Sequence, residues 1–225
     1  MSLSSPTFLT TQIAGEDIWL LPDRAMFWPK AQTRFVTDLH FGKAAAFRAA
    51  SIALPRGTTT TDLERLTCLI EQTSAARLAI LGDVFHARES HAPSTLAAIR
   101  EWRSWHDSLE ILMIRGNHDR RAGDPANDLK FKIVDEGHLE SPFVFNHEPE
   151  NDPQDRGYVL AGHIHPGVRL RRRGRGGGLR LPGFIFRPKH AILPAFGSLT
   201  GLAPVSVTTE DRVFVIADDE VIPVT

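Results

Sequence analysis

Four times along this chain a short apolar run gives out at Asp, His or Asn. Arg34-Phe35-Val36-Thr37 leads into Asp38-Leu39-His40, and Leu78-Ala79-Ile80-Leu81 leads into Gly82-Asp83. Ile111-Leu112-Met113-Ile114 leads into Gly116-Asn117-His118-Asp119, and Tyr158-Val159-Leu160-Ala161 leads into Gly162-His163-Ile164-His165. Runs of this length bounded by turn residues read as buried strands. In α/β folds, sites gather outside the carboxyl ends of strands. The repeated pattern therefore predicts a sheet whose strand ends bring these polar side chains to one crevice.

The segments between the runs are the right size for helices. Lys43 to Ala50 favours helix by propensity, and Leu54-Pro55-Arg56-Gly57 interrupts it. Thr58 to Thr61 offers N-cap oxygens for a helix over 62–74, with Leu63, Leu66 and Ile70 on one face. Pro93 opens a second amphipathic helix over 93–107. With strands at 33–37, 77–81 and 110–114, this β-α-β-α-β succession predicts a parallel sheet, preceded by a hairpin of 18–21 and 25–28 and an edge strand at 8–13. Beyond Asp124-Pro125 the texture changes to short strands: 131–134, 142–146, 158–161, 167–172, 182–186, 190–194, 212–217 and 220–224. They predict a second, mainly antiparallel sheet. The expected fold is α/β, a four-layer α/β/β/α sandwich of two mixed sheets flanked by helices, with residues 1–225 forming one domain.

The polar residues at the strand ends suit a pair of divalent cations. Such a centre for phosphate chemistry needs oxygen ligands, imidazoles and one carboxylate shared between the ions. Asp38 and His40, two residues apart on an extended segment, point the same way and can hold one ion. Asp83 is the natural bridge, Asn117 offers a neutral carbonyl oxygen to the second ion, and His163 and His165 can serve one ion each. His147, in Phe145-Asn146-His147-Glu148-Pro149, is the candidate for the remaining imidazole, with His138 as the alternative. The single cysteine, Cys68, sits in a helical pattern, reads as core filler and rules out an internal disulfide, which fits a reducing cytoplasm. No apolar run approaches the ~20 residues needed to span a bilayer, so no membrane role is expected.

Asp38-x-His40, Gly82-Asp83, Gly116-Asn117-His118-Asp119 and Gly162-His163-x-His165 resemble the signature of the calcineurin-like metallophosphoesterase superfamily, over residues 33 to 165. The resemblance implies that Asp38, His40, Asp83 and His165 hold one ion and that Asp83, Asn117, His147 and His163 hold the other. It implies that His118 is not a ligand but contacts the substrate phosphate and helps the leaving oxygen depart, oriented by Asp119. Where many relatives have an Asp four residues after the Gly of Gly-Asp, this chain has His86; His86 and Arg88 are expected behind the ligands or on the phosphate. Asp83 to Arg88, His163 to Leu170, Arg180 to Phe184 and Leu193 to Gly201 resemble one branch, the bacterial ligase-associated DNA damage response endonucleases. That branch implies a manganese-dependent enzyme cutting single-stranded DNA, associated with repair ligase or helicase proteins. Iron, zinc, nickel or cobalt are the alternative metals. The competing readings are a small-molecule phosphoesterase, acting on a cyclic nucleotide, a pyrophosphate bond or a phosphomonoester, and more remotely a non-catalytic scaffold.

The net charge of -1 points to no polyanionic partner by itself. From Gly157 to Thr209, however, there is no Asp or Glu, and Arg171, Arg172, Arg173 and Arg175 crowd the middle of that stretch. Arginines so clustered neutralise phosphates, and the glycines from Gly174 to Gly178 let the loop adapt. The four arginines are therefore expected to bind DNA, without a motif for reading bases.

Overall fold

A computed structural model describes residues 8–54, 57–73, 75–149, 154–171 and 178–224. Its first sheet sets β1 (Leu9–Ile13), β2 (Glu16–Leu21), β3 (Ala25–Trp28), β4 (Thr33–Val36), β5 (Arg77–Leu81), β6 (Glu110–Ile114) and β7 (Phe131–Val134) side by side in chain order. Strands β1 to β4 pair antiparallel, because tight turns such as Ala14-Gly15 join them. Strands β4 to β7 pair parallel, because each return carries helix. Helices α1 (Lys43–Ala49) and α2 (Thr58–Thr73) link β4 to β5, α3 (Pro93–Trp105) links β5 to β6, and the short α4 (Asn117–Ala122) follows β6.

The central strands are unbroken apolar runs because both of their faces are covered. Leu78 and Ile80 of β5, with Ile111 and Met113 of β6, pack with Leu63, Leu66, Leu69, Ile99 and Trp102 of α2 and α3. Ala79, Leu81, Leu112 and Ile114 turn to the other face, where they meet Phe143, Phe145, Leu160 and Phe184. Those residues belong to a second sheet of β8 (His138–Glu140), β9 (Phe143–Phe145), β10 (Tyr158–Ala161), β11 (Pro166–Arg171), β12 (Gly178–Phe186), β13 (His190–Ile192), β14 (Ala203–Pro204), β15 (Arg212–Ala217) and β16 (Glu220–Pro223). Its order is β14-β11-β12-β13-β10-β9-β8, with β15 paired to β12 and β16 to β15. It is mixed: β9, β10 and β13 run parallel. Edge-on ring contacts lock the sheets face to face, Phe35 on Phe145 at 5.1 Å and Trp28 on Phe143 at 4.9 Å.

The two mixed sheets with flanking helices are those the sequence predicts, but some local expectations change. Helix α2 takes in the threonine run rather than being capped by it, with Thr61 N–H already bonded to the Gly57 carbonyl at 2.9 Å. Cys68 is exposed. The buried residues of α2 fall at 62, 63, 66 and 69, and position 68 points away from that face. Among the described residues no helix is long and apolar enough to cross a membrane.

Candidate metal centre

Five strand ends deliver the candidate residues. Asp38 and His40 follow β4, Asp83 follows β5, Asn117 and His118 open α4 after β6, His147 follows β9, and His163 and His165 follow β10. Three ends belong to one sheet and two to the other, so the crevice lies where the sheets face each other. Asp38, His40, Asp83, His163 and His165 all have left-handed backbone, with φ between 46° and 66°. That conformation costs a residue with a Cβ roughly 1 kcal/mol or more, and it persists only where surrounding bonds enforce it. Here the loops lace one another: Asp38 N–H donates to the Gly82 carbonyl at 3.1 Å, His40 N–H to the Asp83 carbonyl at 2.9 Å, and His163 N–H to Asp38 Oδ2 at 3.0 Å.

Two motif glycines make room for this lacing. A Cβ on Gly82, whose φ is +84°, would collide with the His147 ring, and one on Gly116 would collide with the Asp83 carboxylate. Each glycine thus admits a candidate residue from a different strand end.

The expected ligands form two groups that meet at Asp83, and His40 also makes a third group with His86 and His118. Asp38, His40 and His165 offer one set of nitrogen and oxygen atoms within 4.8 Å of one another, and Asp83, His147 and His163 offer another. Asp83 Oδ1 accepts the His118 N–H at 2.9 Å. Asp83 Oδ2 is left facing imidazoles from both groups, 3.8 Å from His40 Nε2 and 3.4 Å from His147 Nε2. Asn117 Oδ1 and His163 Nδ1 each lie 3.0 Å from that same His147 nitrogen. The other His147 nitrogen, Nδ1, donates to the Leu81 carbonyl at 3.1 Å, which holds the ring with Nε2 aimed at the cluster. His138, the alternative, pairs instead with Glu140 at 3.2 Å and packs on Phe145.

The electrostatics suit cations. Asp38 Oδ1 is fully buried and meets no donor in hydrogen-bonding geometry, although His165 Nε2 lies 3.2 Å away. An oxygen and a nitrogen left facing each other in this way fit a metal ion, which satisfies both lone pairs. Burial drives the His40 imidazole down to about 3, keeping it neutral and able to coordinate. Burial alone would raise Asp83, but the hydrogen bond and charge of His147, with His40 and the His118 N–H, hold it near 2. Asp38 is likewise held below its ordinary value, with His165 and His147 outweighing burial. Burial pulls His147 down, yet Asp83 and Asp38 raise it to about 9. The two carboxylates are thus ionised and paired with imidazoles, a pairing that divalent ions would replace on binding.

His118 is where the sequence expectation needs correcting. Its ring is oriented not by Asp119 but by the backbone of His86, whose carbonyl accepts from His118 Nδ1 at 2.7 Å. The Asp119 carboxylate is wholly buried and taken up by the backbone N–H groups of Phe85 and Gly116, each at 3.0 Å. It therefore ties the end of β5 to the end of β6, and burial raises its pKa to about 6. His86 enters the site directly: Nδ1 lies 3.3 Å from His40 Nδ1, and burial, helped by Lys43 and His118, lowers the ring to about 4. Arg88 is exposed at the start of the 3-10 turn Arg88–His91. Arg172, Arg173 and Arg175 lie outside the described residues, as does the side chain of Arg171.

Sequence reasoning missed what braces His147 and what stands beside the centre. Glu136 Oε1 accepts the N–H groups of His147 and Glu148 at 3.1 and 2.8 Å, and Asn146 Oδ1 accepts the Gly137 N–H at 2.7 Å. Asp135-Glu136-Gly137 reads only as a turn, so no local signal marks it. Lys43 of α1 carries a half-buried ammonium that feels Asp38 and Asp83, and nothing in its helical pattern foretells that.

The family model described as calcineurin-like phosphoesterase matches residues 33–178. The crystal structure of nuclease MPE from Pseudomonas putida is 38% identical, with a TM-score of 0.85 over 97% of this chain and 100% of that one. A protein of unknown function from Aquifex aeolicus, AQ665, matches at 19% identity and a TM-score of 0.39 over 64% of this chain and 82% of that one, too slight a likeness to bear on the fold. No curated protein is a significant match. With the matched span running from β4 to the start of β12 and taking in all five strand ends, the chain belongs to the calcineurin-like phosphoesterase family and is a metal-dependent phosphoesterase.

Proposed function

We propose that the chain is a binuclear, manganese-dependent DNA endonuclease that prefers single strands and acts in DNA repair. The observation that carries DNA as substrate is the likeness, over nearly its whole length, to the Pseudomonas putida nuclease. The β11–β12 ribbon supports it. Arg169 and Arg180 stand directly opposite each other there, both exposed. Like charges so placed weaken a strand pair by some tenths of a kcal/mol unless an anion lies across them.

In this reading Asp38, His40, Asp83 and His165 hold one divalent ion, and Asp83, Asn117, His147 and His163 hold the other. Two such ions, when bound, supply Lewis acidity that acidifies a water and neutralises phosphoryl oxygens. Mixed imidazole and carboxylate donors suit manganese better than magnesium. Hydrolysis bonds the oxygen of a water to phosphorus as the bond to the leaving oxygen breaks, and that oxygen must gain a proton. His118 can give it. Nδ1–H is committed to the His86 carbonyl, so the proton would come from Nε2, which faces the cluster 4.0 Å from Asp83 Oδ2. Asp119 acts at one remove, holding together the loops that carry Asp83 and His118.

The test is turnover of circular single-stranded DNA, duplex plasmid and a panel of nucleotides with Mn²⁺, with and without a chelator. Manganese-dependent fragmentation of the single strand, slower on the duplex and abolished by chelation, is expected. Turnover of nucleotides or phosphomonoesters with intact DNA would overturn the reading.

A further inference from the structure

Helix α1 stands against the centre, and none of its side chains has a part in the chemistry above. Lys43 and Phe47 are four residues apart and so share a face, with the ammonium 6.0 Å from the ring centre. Phe47 is half-buried and belongs to none of the apolar clusters. Its ring lies instead on His86, with 5.9 Å between centres and 20° between planes. His86 in turn stacks on His118 at 4.9 Å and 21°. Three near-parallel rings therefore run from the proposed proton donor to Phe47.

Lys43 is the second observation. It is half-buried, and among the described residues no carboxylate forms an ion pair with it. Its backbone N–H donates to the carbonyl of His40 at 3.1 Å, so α1 begins directly on the loop that carries Asp38 and His40. An aromatic ring kept out of the core and an ammonium kept out of any ion pair, side by side, match the two parts of one ligand, a flat base and a phosphate.

We infer that Lys43 and Phe47 form a subsite for the nucleotide next to the scissile phosphate, Phe47 stacking on its base and Lys43 holding its phosphate. This rests on the endonuclease reading and extends it. Stacking on a phenyl ring ignores base identity, because every base has a π face. It also accounts for a single-strand preference, since a base in a duplex is already stacked on its neighbours and must leave them to reach Phe47.

The experiment maps cleavage along a thymidine oligonucleotide carrying one abasic residue, cut by the manganese-loaded parent, Phe47→Ala, Phe47→Trp and Lys43→Gln. Metal content and melting temperature show that each variant is folded. The parent should cut the bond flanking the abasic residue about tenfold less than the other bonds, because the stack on Phe47 is lost there. Phe47→Ala should cut the ordinary bonds about tenfold less and lose that discrimination, while Phe47→Trp keeps it. Lys43→Gln should weaken binding to every sequence and reduce the logarithmic salt slope by about 0.7. If the parent cuts past the abasic residue unhindered, or Phe47→Ala still discriminates, the subsite is wrong although the nuclease stands. A parent that cuts no single strand overturns both.

Discussion

At the strand ends single residues carry constraints that the rest of the chain is built to meet. Gly82 shows the coupling most clearly, because its missing Cβ is the space that the His147 ring fills. Gly82→Ala should leave the sheets intact yet displace His147, and activity should fall by more than the ~10–100-fold typical of disturbing a residue behind a metal ligand. Metal content should fall with it; a Gly82→Ala protein with parental metal and rate would show that His147 is not needed. His118 separates from the ligand set in the opposite way. Its ring is tethered to the His86 carbonyl, so His118→Ala should retain metal and lose ~10²–10⁴ in rate on DNA. A p-nitrophenyl phosphodiester, whose leaving group needs little protonation, should lose much less. Equal losses on both substrates would remove His118 from the role of proton donor.

The strands and helices were legible in the sequence wherever a periodic apolar signal met a turn residue. Strands β4, β5, β6 and β10 are of this kind, and their ends mark where Asp38, Asp83, Asn117 and His163 are found. Strand β8 was not legible, because His138-Leu139-Glu140 is only three residues, too short for its alternation to stand out, and its pairing is with β9. Lys43, Phe47 and Glu136 were hidden for a related reason: each acts across space on residues far away in sequence. Strand β8 nevertheless helps to join the sheets. Arg77 of β5 makes a two-pronged bond to Glu140, at 2.7 and 2.5 Å. Burial would raise the Glu140 carboxyl, but Arg77 and His138 hold it below its ordinary 4.5. A depressed carboxyl stabilises the fold above its unfolded pKa and loses that contribution as pH falls through the folded value. Glu140→Gln should therefore lower the melting temperature near neutral pH and match the parent in acid. A gap between the two that stays constant down through pH 3 would contradict this. Arg34 of β4 makes the converse case, since among the described residues all its guanidinium nitrogens are buried without a hydrogen bond, the guanidinium lies 5.3 Å from the Phe27 ring centre, and burial lowers its pKa to about 10 against the opposing pull of Asp23. Arg34→Leu should stabilise the chain by roughly 1 kcal/mol, about 2–4 °C for this size. A lower melting temperature would mean that the guanidinium has a partner of its own.

Across the whole molecule, two sheets pressed together by Phe35, Phe143, Phe145 and Phe184 bring five strand ends within reach of one another. Neither sheet holds a complete set of donors. Asp38, His40, Asp83 and Asn117 come from one, and His147, His163 and His165 come from the other. The apolar core between the sheets is thus what assembles the polar centre, and Asp83 Oδ2 is the atom on which both donor groups converge. Counting bound manganese by equilibrium dialysis, in the parent and in Asp83→Ala, tests this most directly when single-strand cleavage is followed in the same samples. The account predicts two ions per parent chain, weakened binding of both in the variant, and loss of cleavage by more than a hundredfold, beyond the ~10–100-fold typical of residues behind the ligands. An Asp83→Ala protein that binds two ions and cuts DNA near the parental rate would contradict it.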